Sequence, residues 1–170
     1  MSSKTADSKT LVLGLGNVLQ GDEGFGVEVA RRLKELPLPA GVSVCEGGVG
    51  GFGLLGQLEG VGRLIVVDIM MLPSLPGELK LLRPGSELAE PGKEMISFHQ
   101  VGALDLLQMW SLVGHPPETF FLVTTPQRLD WGAGLSSALA RAVDKAVSRI
   151  REICAENIER SERPCTASTI

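Results

Sequence analysis

Short apolar stretches that end in glycine, proline or a polar residue are spaced along the chain. The strand-like stretches are TLVLGL at 10–15, VSVCEGG from Val42, RLIVVDIM from Arg63 and TFFLVTT from Thr119. Each is rich in β-branched or large apolar residues, which is typical of buried strands. A further stretch, GELKLL, alternates apolar and polar residues and predicts an edge strand.

Between these strands the apolar residues recur every three or four positions, as they do in helices. This spacing predicts helices at about 24–36, 100–111 and 135–155, and a short, glycine-weakened helix lies in FGLLGQLEG. The stretch RPGSELAEPGKE predicts a loop. Strands that alternate with helices predict a single-domain, three-layer α/β sandwich with a mostly parallel, twisted sheet flanked by helices.

The composition limits the classes of protein to which the chain can belong. Its 170 residues suit one domain, which we place at 10–155, between a disordered N-terminus at 1–9 and a disordered tail at 156–170. The net charge is −4 and no cluster of five basic residues occurs, which excludes a nucleic-acid partner. No apolar run is long enough for a membrane span, and the polar start is not a secretory signal.

The chain has three cysteines, at positions 45, 154 and 165, and none forms a C-x-x-C motif. An odd number at wide spacing argues against a disulfide framework and against a cysteine zinc site. These features predict a reduced, cytoplasmic protein.

Polar residues that suit metal chemistry follow the predicted strands. In parallel sheets, ligands bind beyond the carboxyl ends of the strands. The residues at those positions are Asp22 and Glu23, Glu46, Asp68 and, before the helix near residue 100, His99. Carboxylates and imidazole without a thiolate suit a divalent transition metal, and three protein ligands leave positions open for another molecule.

Each of these residues also has a purely structural interpretation. Asp22 can cap the helix that follows it, and Glu23 can interact favourably with the first turn of that helix. Asp68 can accept hydrogen bonds from turn amides, and His99 can belong to a helix start. For Met70 and Met71, packing and a flexible partner-binding surface both remain open.

A dinucleotide-binding site is an alternative for the first glycine turn. Gly14 and Gly16 give G-x-G, but Leu19 replaces the third glycine of the fingerprint. The acidic pair after the turn would repel a pyrophosphate. The pattern therefore favours another ligand.

The segments LGLGNVLQGDEGFGVEVARRL, LIVVDIM and ISFHQVGALDLL together resemble the NiFe-hydrogenase maturation proteases. The most specific motif is G-x-G-N-x-L followed by an acidic pair and G-x-G-V, and the resemblance extends over residues 10–155. It implies that Glu23, Asp68 and His99 bind a metal ion and form the candidate catalytic site. Glu46 is a further catalytic candidate, although Glu46-Gly47-Gly48-Val49 stands where the family has Asp-Gly-Gly-Thr.

The resemblance also implies an activity. We expect a monomeric endopeptidase that removes the C-terminal extension of a NiFe-hydrogenase large-subunit precursor after nickel insertion. Its cofactor would be nickel supplied by that precursor, so we expect the free protein to bind nickel weakly. The absence of G-x-S-x-G agrees with a protease that uses no serine nucleophile. The alternative that shares these ligands is a non-proteolytic nickel chaperone or docking module for the immature subunit.

Overall fold

A computed structural model describes residues 9–49, 56–83 and 117–162, with side chains up to residue 155. Its strands are β1 (Lys9–Leu15), β2 (Val42–Gly48), β3 (Val61–Ile69), β4 (Leu79–Leu82) and β5 (Glu118–Thr124). Its helices are α1 (Phe25–Lys34), which follows a 3-10 turn at Gly21–Gly24, and α2 (Ser137–Glu162). Together they confirm the predicted α/β class.

The strands form one five-stranded sheet in the order β2-β1-β3-β5-β4. The pairs β1–β2, β1–β3 and β3–β5 are parallel, whereas the short edge strand β4 runs antiparallel to β5. The carboxyl ends of β1, β2, β3 and β5 therefore meet at one edge of the sheet, which we call the carboxyl edge. The predicted, mostly parallel sheet is confirmed.

The two faces of the sheet bury separate apolar clusters because successive residues of a strand point to opposite sides. Ile65, Val67 and Ile69 of β3 belong to the first cluster, with apolar residues of α1 and α2. Leu64 and Val66 belong to the second cluster on the other face, with Leu58 from a turn at 56–58.

Helix α1 lies unusually close to the sheet because its first turn contains a glycine. A β-carbon on Gly26 would collide with the carbonyl oxygens of Leu15 in β1 and Val67 in β3. Since no other residue fits that gap, Gly26 sets how closely the helix approaches. The 3-10 turn directly before α1 is consequently held over the ends of the two central strands.

The last helix is longer than the sequence pattern predicts. α2 continues to Glu162, so the predicted disordered tail is wrong for residues 156–162. This segment is polar and lacks apolar periodicity, but its Glu and Arg residues favour a helix and no proline occurs before Pro164. The rest of that tail, the loop RPGSELAEPGKE from Pro84 and the predicted helix at 100–111 lie outside the described residues.

In the described part of the chain, no helix is both long and apolar enough to span a bilayer. The 26-residue α2 is amphipathic, and its apolar residues pack into the first cluster. The apolar face of α2, up to Cys154, therefore packs against the sheet.

Candidate functional site

Asp68 is a fully buried carboxylate at the carboxyl edge. It is the second-last residue of β3 and pairs in register with Val123 of β5. Its exposure is 0%, and it lies between Val66 and Met70, which belong to the second apolar cluster. Its Oδ1 accepts the backbone N–H of Ile69 at 2.8 Å. Burial of an ionised carboxylate is costly unless partners compensate it, which makes Asp68 a strong site candidate.

Glu23 lies at the same edge, on the 3-10 turn between β1 and α1. A β-carbon on Gly16 would collide with the carbonyl oxygen of Glu23, and Gly16 has a φ of +130°, so only glycine permits this contact. The turn also contacts β3. The first strand and its glycine turn thus bring Glu23, which is partly exposed, to the edge that holds Asp68.

The other member of the acidic pair has a structural role. Asp22 is 0% exposed, and its Oδ2 accepts the backbone N–H groups of Gln127 at 2.7 Å and Arg128 at 2.9 Å. Its Oδ1 accepts the N–H of Ser136, the residue before α2, at 2.6 Å. The N-cap of α1 is Gly24, without a side-chain cap. The interpretation of Asp22 as a cap of the following helix is therefore wrong.

Backbone hydrogen bonds join the loop after β1 to the loop after β5. Gly132 donates its N–H to the carbonyl oxygen of Leu19, and Gly21 donates to the carbonyl oxygen of Gly132, both at 2.9 Å. Within the second loop, Arg128 pairs with Asp130 at 3.0 Å and donates to the carbonyl oxygen of Gly134. The two loops form one unit beside Glu23. The sequence does not predict this pairing of the two loops, because nothing in the local pattern links residues so far apart.

Glu46 has two cationic partners on α1. Its carboxylate pairs with Lys34 at 2.9 Å and with Arg31 at 3.0 Å. Hydrogen bonding to Lys34, and then to Arg31, lowers the pKa of the Glu46 carboxyl below its ordinary value. By strand alternation, Glu46 shares the α1 face with Val44, whereas Asp68 lies on the opposite face. The structure thus gives Glu46 a role in holding α1 to β2.

The structure places two of the three predicted metal ligands, since His99 lies outside the described residues. Within 9–49, 56–83 and 117–162, no three acidic, histidine or cysteine side chains converge on a metal position. Of the predicted ligands, the structure places the carboxylates of Glu23 and Asp68 at the carboxyl edge. Carboxylate oxygens suit hard divalent cations, and the imidazole ligand that nickel favours would come from His99.

Of the two cysteines in the described part of the chain, Cys154 is poorly suited to nucleophilic catalysis. Cys154 is buried in the first apolar cluster on α2, and burial raises the pKa of its thiol, with Arg63 opposing this effect. Cys45 on β2 is partly buried and packs against the second cluster. Thiols are reactive as thiolates, and burial disfavours the thiolate of Cys154.

The sequence is similar to those of known proteins. A family model described as hydrogenase maturation protease matches residues 27–153. The hydrogenase expression/formation protein HupD of Rhodobacter capsulatus is 39% identical over 155 residues, which cover 89% of this chain and 74% of HupD. The hydrogenase 2 maturation protease of Escherichia coli K12 is 32% identical over 145 residues, which cover 84% of this chain and 88% of that protease.

Solved structures of such proteins share the fold. The hydrogenase maturating endopeptidase HybD of E. coli superposes with a TM-score of 0.79 at 29% identity, covering 88% of this chain and 93% of HybD. The NiFe hydrogenase maturation protease HybD of Thermococcus kodakarensis gives a TM-score of 0.75 at 27% identity, covering 86% of this chain and 99% of that chain. The similarity therefore extends over nearly the whole fold.

Proposed function

Since the chain belongs to the hydrogenase maturation protease family, we propose that it removes the C-terminal extension of a NiFe-hydrogenase large-subunit precursor once nickel is inserted. Membership of this family makes the chain a peptide hydrolase. The observation that carries the finer proposal is the buried Asp68 carboxylate at the carboxyl edge, beside the turn that presents Glu23.

Nickel enters this proposal as part of the substrate. Glu23, Asp68 and His99 would recognise it, and a bound divalent metal can polarise a scissile carbonyl or activate water. The N–H of Ile69 fixes one oxygen of Asp68, so the orientation of that carboxylate is set before the substrate arrives. Glu23 is partly exposed and sits on a turn that Asp22 anchors, so it meets an incoming protein in a defined position.

Glu46 is not included in the proposed catalytic set. Each of its carboxylate oxygens pairs with a cationic side chain of α1, so its negative charge is compensated without a substrate. Its face of the sheet is the one that α1 covers, whereas Asp68 lies on the other.

Mass spectrometry of precursor cleavage tests the proposal directly. The assay compares the nickel-loaded large-subunit precursor with its nickel-free form. It also compares the wild-type protease with its His99→Ala variant. We expect a C-terminal peptide to be released only from the nickel-loaded precursor and only by the protease with His99 intact. Equal cleavage of nickel-free precursor would overturn nickel recognition.

The non-proteolytic docking module is the alternative outcome of the same assay. Nickel-dependent association without release of a peptide, repeated over a panel of precursors, would select it. The variants Glu23→Gln and Asp68→Asn separate binding from cleavage, because each keeps the side-chain size and removes the charge.

A further inference from the structure

The segment from Thr124 to Ser136 contains none of the predicted site residues, yet it contacts both sides of the candidate site. It begins at the end of β5, where the carbonyl oxygen of Thr124 accepts the N–H of Met70, two residues after Asp68, at 2.9 Å. It ends at the residue before α2, whose N–H is donated to Asp22. We call it the β5–α2 segment.

On one side, the β5–α2 segment continues the strand that pairs with β3. Asp68 lies opposite Val123 of β5, so the sheet fixes the start of the segment relative to Asp68. The hydroxyl of Thr125 donates to the carbonyl oxygen of Leu72 at 3.3 Å and lies 2.8 Å from the hydroxyl of Ser74. The loop after β3 and the β5–α2 segment are therefore held together.

On the other side, the β5–α2 segment packs against the turn that carries Glu23. The N–H of Asp22 donates to the carbonyl oxygen of Arg128 at 3.1 Å, and Oδ2 of Asp22 accepts the N–H of Arg128 at 2.9 Å. Gly21 has a φ of +53°, and a β-carbon there would lie 3.1 Å from the carbonyl oxygen of Arg128 and 3.3 Å from that of Asp130. The backbone of the turn thus fits closely against the segment.

The contact depends on the charge of Asp22. Its carboxylate accepts backbone N–H groups of the β5–α2 segment alone in the contacts described above, from Gln127, Arg128 and Ser136. Hydrogen bonds to an ionised acceptor are stronger than those between neutral groups. An asparagine at this position would keep one acceptor oxygen and turn an NH2 group toward backbone donors, so Asp22→Asn disturbs the contact without changing the size of the side chain.

We propose that the β5–α2 segment is a positioning element of the catalytic site, and that Asp22 is the positioning residue through which it fixes Glu23 relative to Asp68. This inference rests on the proposed function. Because Glu23 directly follows Asp22 in the chain, its main chain moves with the Asp22 contact. Catalytic groups must be held in register, and a misplacement of about 1 Å can lower a rate about 100-fold.

A double-mutant cycle on the full chain tests whether Asp22 acts through Glu23. It compares wild type, Asp22→Asn, Glu23→Gln and the double variant, with kcat and KM measured from peptide release by the nickel-loaded precursor. Glu118→Gln is the stability control. Glu118 pairs with the buried Arg63 at 2.6 Å near the amino end of β3, so its loss should destabilise the fold away from the carboxyl edge. Circular dichroism sets an assay temperature at which every variant is folded.

We expect Asp22→Asn to lower kcat about tenfold with KM within about twofold, and Glu118→Gln to leave both within about twofold. In the Glu23→Gln background, Asp22→Asn should lower kcat by less than about twofold, because no catalytic carboxylate is left at position 23 to misplace. Gly21→Ala crowds the same contact without altering Asp22 and should give the same pattern. It carries the test if Asp22→Asn fails to fold.

Hydrogen exchange of the free protein, followed by mass spectrometry, is a readout that needs no cleavage. Gly21 donates its N–H to the carbonyl oxygen of Gly132, and Gly132 donates to that of Leu19. Asp22→Asn should speed exchange at these amides about tenfold or more, while the amides of β3 keep their wild-type rates. Glu118→Gln should leave exchange in the two loops unchanged.

The outcomes distinguish this inference from the proposed function. Equal losses of kcat from Asp22→Asn with and without the Glu23 carboxylate would overturn the positioning role and leave the proposed function intact. Unchanged exchange in the two loops, or an equal loss of kcat in Glu118→Gln, would do the same. A wild-type protein that cleaves no precursor would overturn both.

Discussion

The carboxylate of Asp22 accepts the backbone N–H of Ser136 at 2.6 Å across a sequence separation of 114 residues. Ser136 precedes α2, so an acid near the start of the chain lies at the N-terminus of the last helix, where negative charge is favourable. The adjacent Glu23 carries the proposed chemistry. The two acids thus have different roles: the Asp22 carboxylate is buried inside the fold, and the Glu23 carboxylate lies at the candidate site.

Replacing Asp22 by alanine should lower the free energy of unfolding by about 2–4 kcal/mol, because three backbone N–H groups lose a charged acceptor. Urea unfolding followed by circular dichroism measures this loss. Asp144→Ala, at an exposed position on α2, is the control and should change stability by less than about 0.5 kcal/mol. Equal effects of the two substitutions would contradict the anchoring role.

Glu23→Gln and Asp68→Asn should each lower the rate of precursor cleavage about 100-fold or more, since the proposed site loses a negatively charged oxygen ligand. The rate of peptide release is measured at saturating precursor, with circular dichroism as the check on folding. Glu28→Gln, a partly exposed glutamate on α1 that pairs with Arg31, is the matched control. Full activity of both site variants would rule out a carboxylate-based site.

Gly26→Ala should destabilise the protein by about 2 kcal/mol or more, because the added methyl group meets the carbonyl oxygens of Leu15 and Val67. The helix must then move away from the sheet, so cleavage should also fall. Gly56→Ala provides the comparison, since a β-carbon there meets nothing within 4 Å. Its unfolding free energy should change by less than about 1 kcal/mol.

Glu46→Gln should lower stability at pH 7 by at most about 1 kcal/mol, because the ion pairs with Lys34 and Arg31 are partly exposed. The lowered pKa of Glu46 means that its stabilisation is present above the unfolded value of about 4.3 and is lost as the pH falls through the folded pKa. Wild type and variant should therefore converge in acid. A difference that stays constant from pH 7 to pH 3 would contradict the ion-pair origin.

Cleavage by Glu46→Gln distinguishes the structural from the catalytic interpretation of this residue. The structural role predicts a rate within about threefold of wild type, in contrast to the larger losses expected at Glu23 and Asp68. A loss as large as theirs would return Glu46 to the catalytic set.

The strands, and the polar candidate residues at their carboxyl ends, were predictable from the sequence because they depend on local pattern. The apolar run of β3 and the polar Asp68 at its end are adjacent in the chain, and parallel strands bring such ends together. The same holds for β1 and the glycine turn that leads to Glu23.

Contacts between residues that are far apart in the sequence could not be predicted from local pattern. Asp22 and Glu23 are neighbours of similar chemistry, and only the fold shows that one is buried against Ser136 while the other is partly exposed. Likewise, the apolar periodicity of the sequence ends near residue 155, whereas Glu and Arg residues that favour a helix follow it and α2 continues to Glu162. His99, which the sequence predicts as a metal ligand, lies outside the described residues and stays a prediction.

The hydrogen bond between Asp22 and Ser136 has a consequence for when the candidate site forms during synthesis of the chain. Ribosomes synthesise the chain from its N-terminus, so the turn that carries Glu23 exists long before the amides that fix it. Contacts of such high sequence separation form late in folding, because the loop must first be closed. A newly made chain therefore gains a positioned Glu23 only after Ser136 has been synthesised.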